Sequence, residues 1–313
     1  MTRDERIIAR IARKLAGDAV AGLEETLGGS ELQSLMLHVY RRRSAARAPA
    51  ELLRQYDRVR MLQPARVDPR RLLEVEAAAY RAAEGFEALE LAPVAPLGIN
   101  QVLGEIDQNS CLATVRQAEV LADPTTMAAL ECARRRRNDG AEVRLCSIGR
   151  QLRLQPYDHP EFLPHFKLFS MVTAGRDHGS HRFEMAALGE QLHVYLAMLE
   201  DLSASGYRIG EVVVSLSHTG GDARLLERAA AEVLTALGED FPWATMRLDP
   251  DRERGRAYYS GLCLSLDADT PEGHRINLAD GGFTDWTRRL LANAKERLLV
   301  SGLGIELLAR LFR

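Results

Sequence analysis

No run of about 18 apolar residues occurs in the chain, which excludes a conventional membrane-crossing helix. The opening residues, Met1-Thr2-Arg3-Asp4-Glu5-Arg6, lack the apolar segment of a secretory signal, so the cytoplasm is the expected compartment. Cysteine is sparse. Cys111, Cys132, Cys146 and Cys263 form no C-x-x-C pair and have no paired histidines nearby, which argues against a disulfide framework and a thiolate zinc site. They read as small buried residues. Lysine is nearly missing as well, so short arginine runs such as Arg41-Arg42-Arg43 and Arg134 to Arg137 follow from composition. Such runs can pair with phosphates, but solvated helix faces are the stronger account of them.

The 313 residues, 46% hydrophobic and 27% charged, suffice for one large core or two smaller ones. The formal net charge of −3 hides an asymmetry. Residues 1 to 72 carry 15 Lys/Arg against 9 Asp/Glu, whereas the remainder carries 26 against 35. The two parts therefore face different surroundings.

From Arg3 to about Tyr56 the apolar residues recur every three or four positions, among them Ile7, Ile8, Ile11 and Leu15, then Leu32, Leu35, Met36 and Val39. Gly28-Gly29-Ser30 divides two helices, with Ser30 as a candidate N-cap. The pattern predicts a helical arm over residues 1–66, suited to RNA, to a subunit partner or to packing on its own domain. Asp68-Pro69 then opens a helix ending near Gly85, and a short proline-closed strand follows up to Pro96. Residues 111 to 137 alternate briefly and become helical. Asp123-Pro124-Thr125 reads as a helix N-terminus. Within 184–240 the pattern is helix, strand, helix, with Glu211 to His218 as the β-rich run. His218 at its end reads as a capping or core histidine. Tyr258-Tyr259 before Ser260-Gly261-Leu262 is compatible with plain strand packing.

Three late blocks carry a resemblance: Arg254-Gly255-Arg256-Ala257-Tyr258-Tyr259, Gly281-Gly282-Phe283-Thr284-Asp285, and Gly302-Leu303-Gly304-Ile305-Glu306-Leu307. Together with Cys146 to Pro156 and His165-Phe166, they resemble the catalytic core of class II aminoacyl-tRNA synthetases, in particular the histidyl-tRNA synthetase branch. That branch writes the late blocks roughly as R-G-L-D-Y-Y, G-G-R-Y-D and G-x-G-x-E-R-L, and the earlier one as i-G-x-x-F-R-Y-E-x-P. The resemblance spans about Asp68 to Arg313 and implies an α+β core at 67–313, a mostly antiparallel sheet flanked by helices, paired as a homodimer through 69–96. ATP and magnesium would be the cofactors. Arg153 and Arg254 would hold phosphate, Phe166 would stack on adenine, and Glu306 and Arg310 would complete the nucleotide site. Glu119, Thr125, Gln155, Tyr258 and Tyr259 would meet an amino-acid-like substrate.

The chemistry fits these roles. A guanidinium fork matches the oxyanions of adenylate formation, and an aromatic face accepts a purine at little polar cost. The departures are equally specific. Leu307 stands where the branch has the arginine of the γ-phosphate, Phe283 and Ala257 replace an Arg and an Asp, and Gln155 replaces a Glu. Leu168 and Val172 fall where H-Q-x-G-x-E would supply polar contacts to histidine. Val cannot replace the carboxylate that an ammonium group requires. The blocks end at Phe312, which implies no anticodon-binding domain, as in the regulatory subunit of ATP phosphoribosyltransferase, a synthetase paralogue. Three readings follow: a non-charging paralogue that binds a nucleotide or amino-acid-like ligand and regulates or scaffolds a partner; an adenylate-forming ligase acting on a carrier other than tRNA; and an RNA binder through the basic arm.

Overall fold

The computed structural model describes residues 2–15, 19–155 and 163–313. Its centre is an eight-stranded sheet in the order β1-β4-β5-β10-β9-β8-β6-β7. The strands are β1 (Glu87–Ala88), β4 (Val143–Leu152), β5 (His165–Arg176), β6 (Val212–His218), β7 (Ala244–Leu248), β8 (Leu262–Asp269), β9 (Arg275–Thr284) and β10 (Glu296–Leu303), while β2 (Val94–Pro96) and β3 (Ala118–Val120) pair separately. The edge pairs β1–β4 and β6–β7 are parallel and the interior pairs antiparallel. The expected antiparallel sheet is thus present. The strand read between Phe86 and Pro96 is instead two short pieces, β1 and β2, in different sheets. Pro93 and Pro96 cannot donate to a ladder, which explains why pairing is so brief.

Helices cover both faces. On one side α4 (Pro69–Ala82), α7 (Arg182–Ala204), α8 (Ala223–Ala229) and α11 (Ile305–Leu311) bury Val75, Leu192, Leu199, Leu226 and Leu308 against Phe169, Leu264 and Leu299. On the other, α5 (Ile99–Gly104), α6 (Pro124–Asp139) and α10 (Trp286–Leu291) enclose Leu145, Val172, Val300 and Trp286. Alternation along β5 and β10 assigns neighbours to opposite cores: Phe169 and Leu299 to the first, Val172 and Val300 to the second. The segment 184–240 is continuous with this architecture, because β6 lies between β8 and β7. Its helical run after Ala223 passes through a π-helical turn, Ala230–Leu234, into α9 (Thr235–Asp240).

Asp68 caps α4 through its side chain, accepting from Arg70 N at 2.9 Å, with Pro69 in the first turn. The second core is clamped by a buried ion pair. Arg136 on α6 donates through Nη2 to Glu296 Oε1 at 3.0 Å and through Nε to Oε2, and its Nη1 takes up the carbonyls of Gly140 and Ala141 at the helix end. All four cysteines are buried, and burial pushes the thiols of Cys132 and Cys263 up to about 12 and that of Cys146 to about 11. Thiolate chemistry near neutral pH is therefore closed to these three. No helix among the described residues is long and apolar enough to cross a membrane.

The arm is helical, as the periodicity predicts: α1 (Arg3–Ala12), α2 (Gly29–Ala45) and α3 (Pro49–Arg58). Gly28, not Ser30, is the N-cap residue of α2, and Glu31 accepts from its backbone N at 2.9 Å. No described residue before Leu72 is buried. The apolar side chains Ile8, Leu35, Tyr40, Leu53 and Tyr56 are exposed.

Two outcomes follow from this packing. Deleting residues 1–58 should change the thermal midpoint of the remaining chain by no more than a few degrees, read by calorimetry. Arg136→Ala should lower unfolding free energy by about 3–5 kcal/mol in urea titrations, because Glu296 is then stranded, and the pair Arg136→Met with Glu296→Leu should recover most of the loss.

Candidate functional site

A cavity of about 570 Å³ opens where β4, β5, β9 and β10 meet the N-terminus of α6, the turn at 252–259 and the start of α11. Of the residues expected to form a site, it gathers Arg153, Phe166, Thr125, Gln155, Arg254, Tyr258, Tyr259, Glu306 and Arg310. Glu119 is not on its wall. That carboxylate is fully buried and accepts from Gly98 N at 2.9 Å, Asn100 Nδ2 at 2.7 Å and Gln108 Nε2 at 2.8 Å. Burial works to raise its carboxyl, but these donors hold it below the usual carboxylate range. It fastens the loop before α5 to β3.

Asp123, which the sequence marks only as the start of a helix, does line the cavity. Its Oδ1 accepts from Thr125 N at 2.9 Å and Thr125 Oγ1 at 2.7 Å, capping α6. Its Oδ2 accepts from the Tyr258 hydroxyl at 2.7 Å and from Arg153 Nη2 at 3.3 Å. Arg153 Nε also donates to Ala122 O at 2.7 Å, and its guanidinium carbon lies 5.4 Å from the Phe166 ring centroid, so cation and ring stack as one unit. Asp123 therefore caps a helix and organises the wall at once. Pro156, which closes the motif after Gln155, lies outside the described residues.

Opposite stands a second carboxylate. Asp280 on β9 accepts from Arg252 Nη2 at 2.8 and 2.9 Å and from the Tyr259 hydroxyl at 2.9 Å. Arg252, rather than Arg254, is the buried arginine of this turn: its Nε donates to Arg254 O at 2.9 Å and its Nη1 to Leu264 O at 3.2 Å. Sequence reading missed both Arg252 and Asp280, which lie just outside the matched blocks. Arg254 is exposed and lines the cavity.

Tyr258 and Tyr259 are not in a strand. They close a turn on Gly255, donating backbone N–H groups to its carbonyl at 3.0 and 2.9 Å. Gly255 has φ +72°, and a Cβ there would fall 2.7 Å from the Tyr259 ring. Gly282 on β9 is required for the same reason, since its Cβ would lie 2.8 Å from that ring and 2.9 Å from Cys263 Sγ. The rings stand edge to face 4.9 Å apart, and Tyr258 meets Trp286 likewise at 5.1 Å. Burial, and then the neighbouring Asp123 or Asp280, push both phenols well above their ordinary value of 10.0. Both hydroxyls are thus held as donors.

The substituted positions fall in distinct places. Phe283 points away from the cavity into the first core, edge to face with Phe183 at 6.4 Å, so an arginine is not missing from the cavity wall there. Leu307 does line the cavity, as do Leu168 and Val300, giving an apolar side. Val172 is buried in the second core. Glu306 is engaged by Arg150 Nη2; Arg150 Nη1 donates to His165 Nδ1 at 3.0 Å, and His165 Nε2 donates to Gln63 O at 2.7 Å. His218 acts as a turn cap, its Nδ1 accepting from Gly220 N and Asp222 N at 3.1 Å each.

No protein-family model matches this chain, and no curated protein matches it in sequence. Solved structures do resemble it. An ATP phosphoribosyltransferase regulatory subunit/histidyl-tRNA synthetase from Bacillus halodurans superposes with a TM-score of 0.57 at 12% identity, over 78% of this chain and 79% of that one. A histidine–tRNA ligase subunit from Alicyclobacillus acidocaldarius gives 0.55 at 15%, over 80% and 95%. Apo histidyl-tRNA synthetase from S. aureus gives 0.53 at 15%, over 76% and 64%. The fold is that of a class II aminoacyl-tRNA synthetase-like core, as the motif order implies.

The raised phenols set a pH dependence. Their folded form is favoured fully below pH 10.0, where unfolded tyrosine is also neutral, and that advantage is lost as the pH rises further and only the unfolded chain ionises. Unfolding free energy should therefore fall as the pH rises above about 10, and Tyr258→Phe should make the fall shallower in urea titrations.

Proposed function

We propose that the chain is a histidyl-tRNA synthetase-like paralogue that does not charge tRNA. In this reading it binds a nucleotide or an amino-acid-like ligand in the central cavity and serves a regulatory or scaffolding role. The carrying observation is the combination of a braced cavity, with Arg153 stacked on Phe166 and the two tyrosines fixed by carboxylates, and an apolar Leu307 where the synthetase branch has its γ-phosphate arginine. One preorganised cation at a transferring phosphate is worth about 3–4 kcal/mol of transition-state stabilisation. A binding pocket can survive its loss far better than a catalyst can. The likeness to a structure named as a regulatory subunit supports the same direction.

The cofactors implied by the resemblance fit unequally. Arg153, Phe166 and Arg254 provide a stacking unit and two guanidinium groups suited to a base and a phosphate. Magnesium finds less: Glu306 is paired with Arg150, and no group of three or more His, Cys, Asp or Glu side chains placed for a metal occurs among the described residues. Arg310, one turn beyond Leu307 on α11, also lines the cavity, which favours the ligase as second reading. Exposed Leu73 and Val94 support pairing of two copies through 69–96, and the basic arm with its exposed apolar residues supports contact with a protein or RNA partner.

Isothermal titration with ATP and magnesium, alone and with each amino acid, tests the reading. Binding to the wild type that weakens about tenfold or more in Arg153→Ala is expected, because a charge-assisted contact is removed. Heat that is identical in the two proteins would contradict a nucleotide site built on Arg153.

A further inference from the structure

The fold leaves two apolar faces of opposite charge open to solvent. On α1 and the turn that continues it, Ile8, Ile11 and Leu15 recur at spacings of three and four and are exposed. The other side of the helix carries Arg6, Arg10, Arg13 and Lys14, also exposed. Glu5 is engaged at the helix cap, where it accepts from Thr2 N at 2.7 Å. The second face lies on and around α5. Leu97 is 49% exposed and Val102 62%, and Glu105 and Asp107 are exposed next to them. From residue 82 to residue 115 the chain has five acidic residues and no Lys or Arg. The neighbouring Arg289 is engaged by Asp285 and by the Val102 carbonyl. A basic amphipathic helix thus has its complement, in charge and in apolarity, on the same molecule.

The layout favours a meeting between two copies. Within its own chain α1 stays uncovered, although the start of α2 reaches the rim of this surface: a Cβ at Gly29 would fall 2.5 Å from Gln117 Nε2, and Gln117 O accepts from Leu97 N at 3.2 Å. The arm joins the core at Asp68 and the acidic surface begins at Leu97, so the two flank the ends of segment 69–96. Where two copies pair through that segment, each arm leaves beside the partner's α5. An RNA would leave Ile8 and Ile11 uncovered, and a lipid surface would leave Leu97 and Val102 uncovered. A second copy covers both faces in one association.

We propose that α1 of one copy docks on the surface 97–107 of a second copy, an exchange of arms across the pair. The apolar residues supply the burial. The cations of α1, whose long side chains reach past the helix edge, favour a surface that carries Glu105 and Asp107 over a basic one. The inference rests on the pairing through 69–96 proposed above and assigns the partner of the arm.

Cross-linking between two full-length chains tests it. One chain carries Ala12→Cys and the other, with a different tag, Gln101→Cys; the pair is co-expressed, purified through both tags and treated with a short bismaleimide, to which the four buried native cysteines are closed. The expected result is a cross-linked dimer that requires both variants and whose yield falls about tenfold or more when Ile8→Glu is added to the first chain. Ile8 is exposed in the single chain, so Ile8→Glu should keep the thermal midpoint of the fold. A yield that Ile8→Glu leaves unchanged would overturn docking through the apolar face. Light scattering on the same proteins separates the failures. A dimer that does not cross-link would overturn the exchange while leaving the pairing intact, and a monomer would remove both. A cross-link found only within one chain that carries both cysteines would place the arm on its own core and overturn the exchange as well.

Discussion

Two carboxylates, Asp123 and Asp280, hold the cavity in shape, and the surrounding sequence is arranged to supply them with donors. Asp123 joins the cap of α6, the guanidinium of Arg153 on the strand-exit side and the hydroxyl of Tyr258 from a turn 135 residues further along the chain. Asp280 ties the same turn to β9 through Arg252 and Tyr259. Leaving Asp123 buried without its partners would be strongly unfavourable, and Asp280 holds the buried Arg252 and the Tyr259 hydroxyl, so the turn at 252–259 is fixed from both sides. The glycines at 255 and 282 are a consequence: the tyrosine ring must lie flat against both backbones to reach its acceptor.

This arrangement gives a physical account of the edited motifs. Leu307 and Leu168 add apolar groups to the cavity wall without touching the bracing contacts. Phe283 lies on the other face of the sheet and packs with Phe183, where it contributes to the first core. The braces Asp123, Tyr258, Asp280 and Tyr259 stand together, so the cavity persists as a shaped site. A chain of contacts also leads outward from it, from Glu306 through Arg150 and His165 to the backbone of Gln63. The root of the arm is thereby fastened to the helix that follows β10.

Much of the fold was legible because the informative patterns are local. Asp68-Pro69 marks the start of α4, the β-rich run before His218 is β6, and the order of the blocks gives the antiparallel core. What was not legible depended on contacts distant in sequence. Glu119 and Asp123 are four residues apart, and nothing local says which carboxylate is consumed by the loop before α5 and which faces the cavity. Arg252 and Arg254 differ in the same way: burial beside Asp280 selects the first, and a periodicity of two cannot distinguish them. The Tyr258-Tyr259 pair reads as strand because aromatic residues favour strands, but two hydroxyls seeking separate carboxylates impose a turn.

The central claim is that a synthetase fold has kept its cavity and lost amino-acid activation. The most direct test is exchange of labelled pyrophosphate into ATP by the purified chain, run with magnesium and each of the proteinogenic amino acids in turn. The account predicts no exchange above a protein-free blank with any of them. Amino-acid-dependent exchange that Arg153→Ala abolishes would contradict it and establish an adenylate-forming ligase.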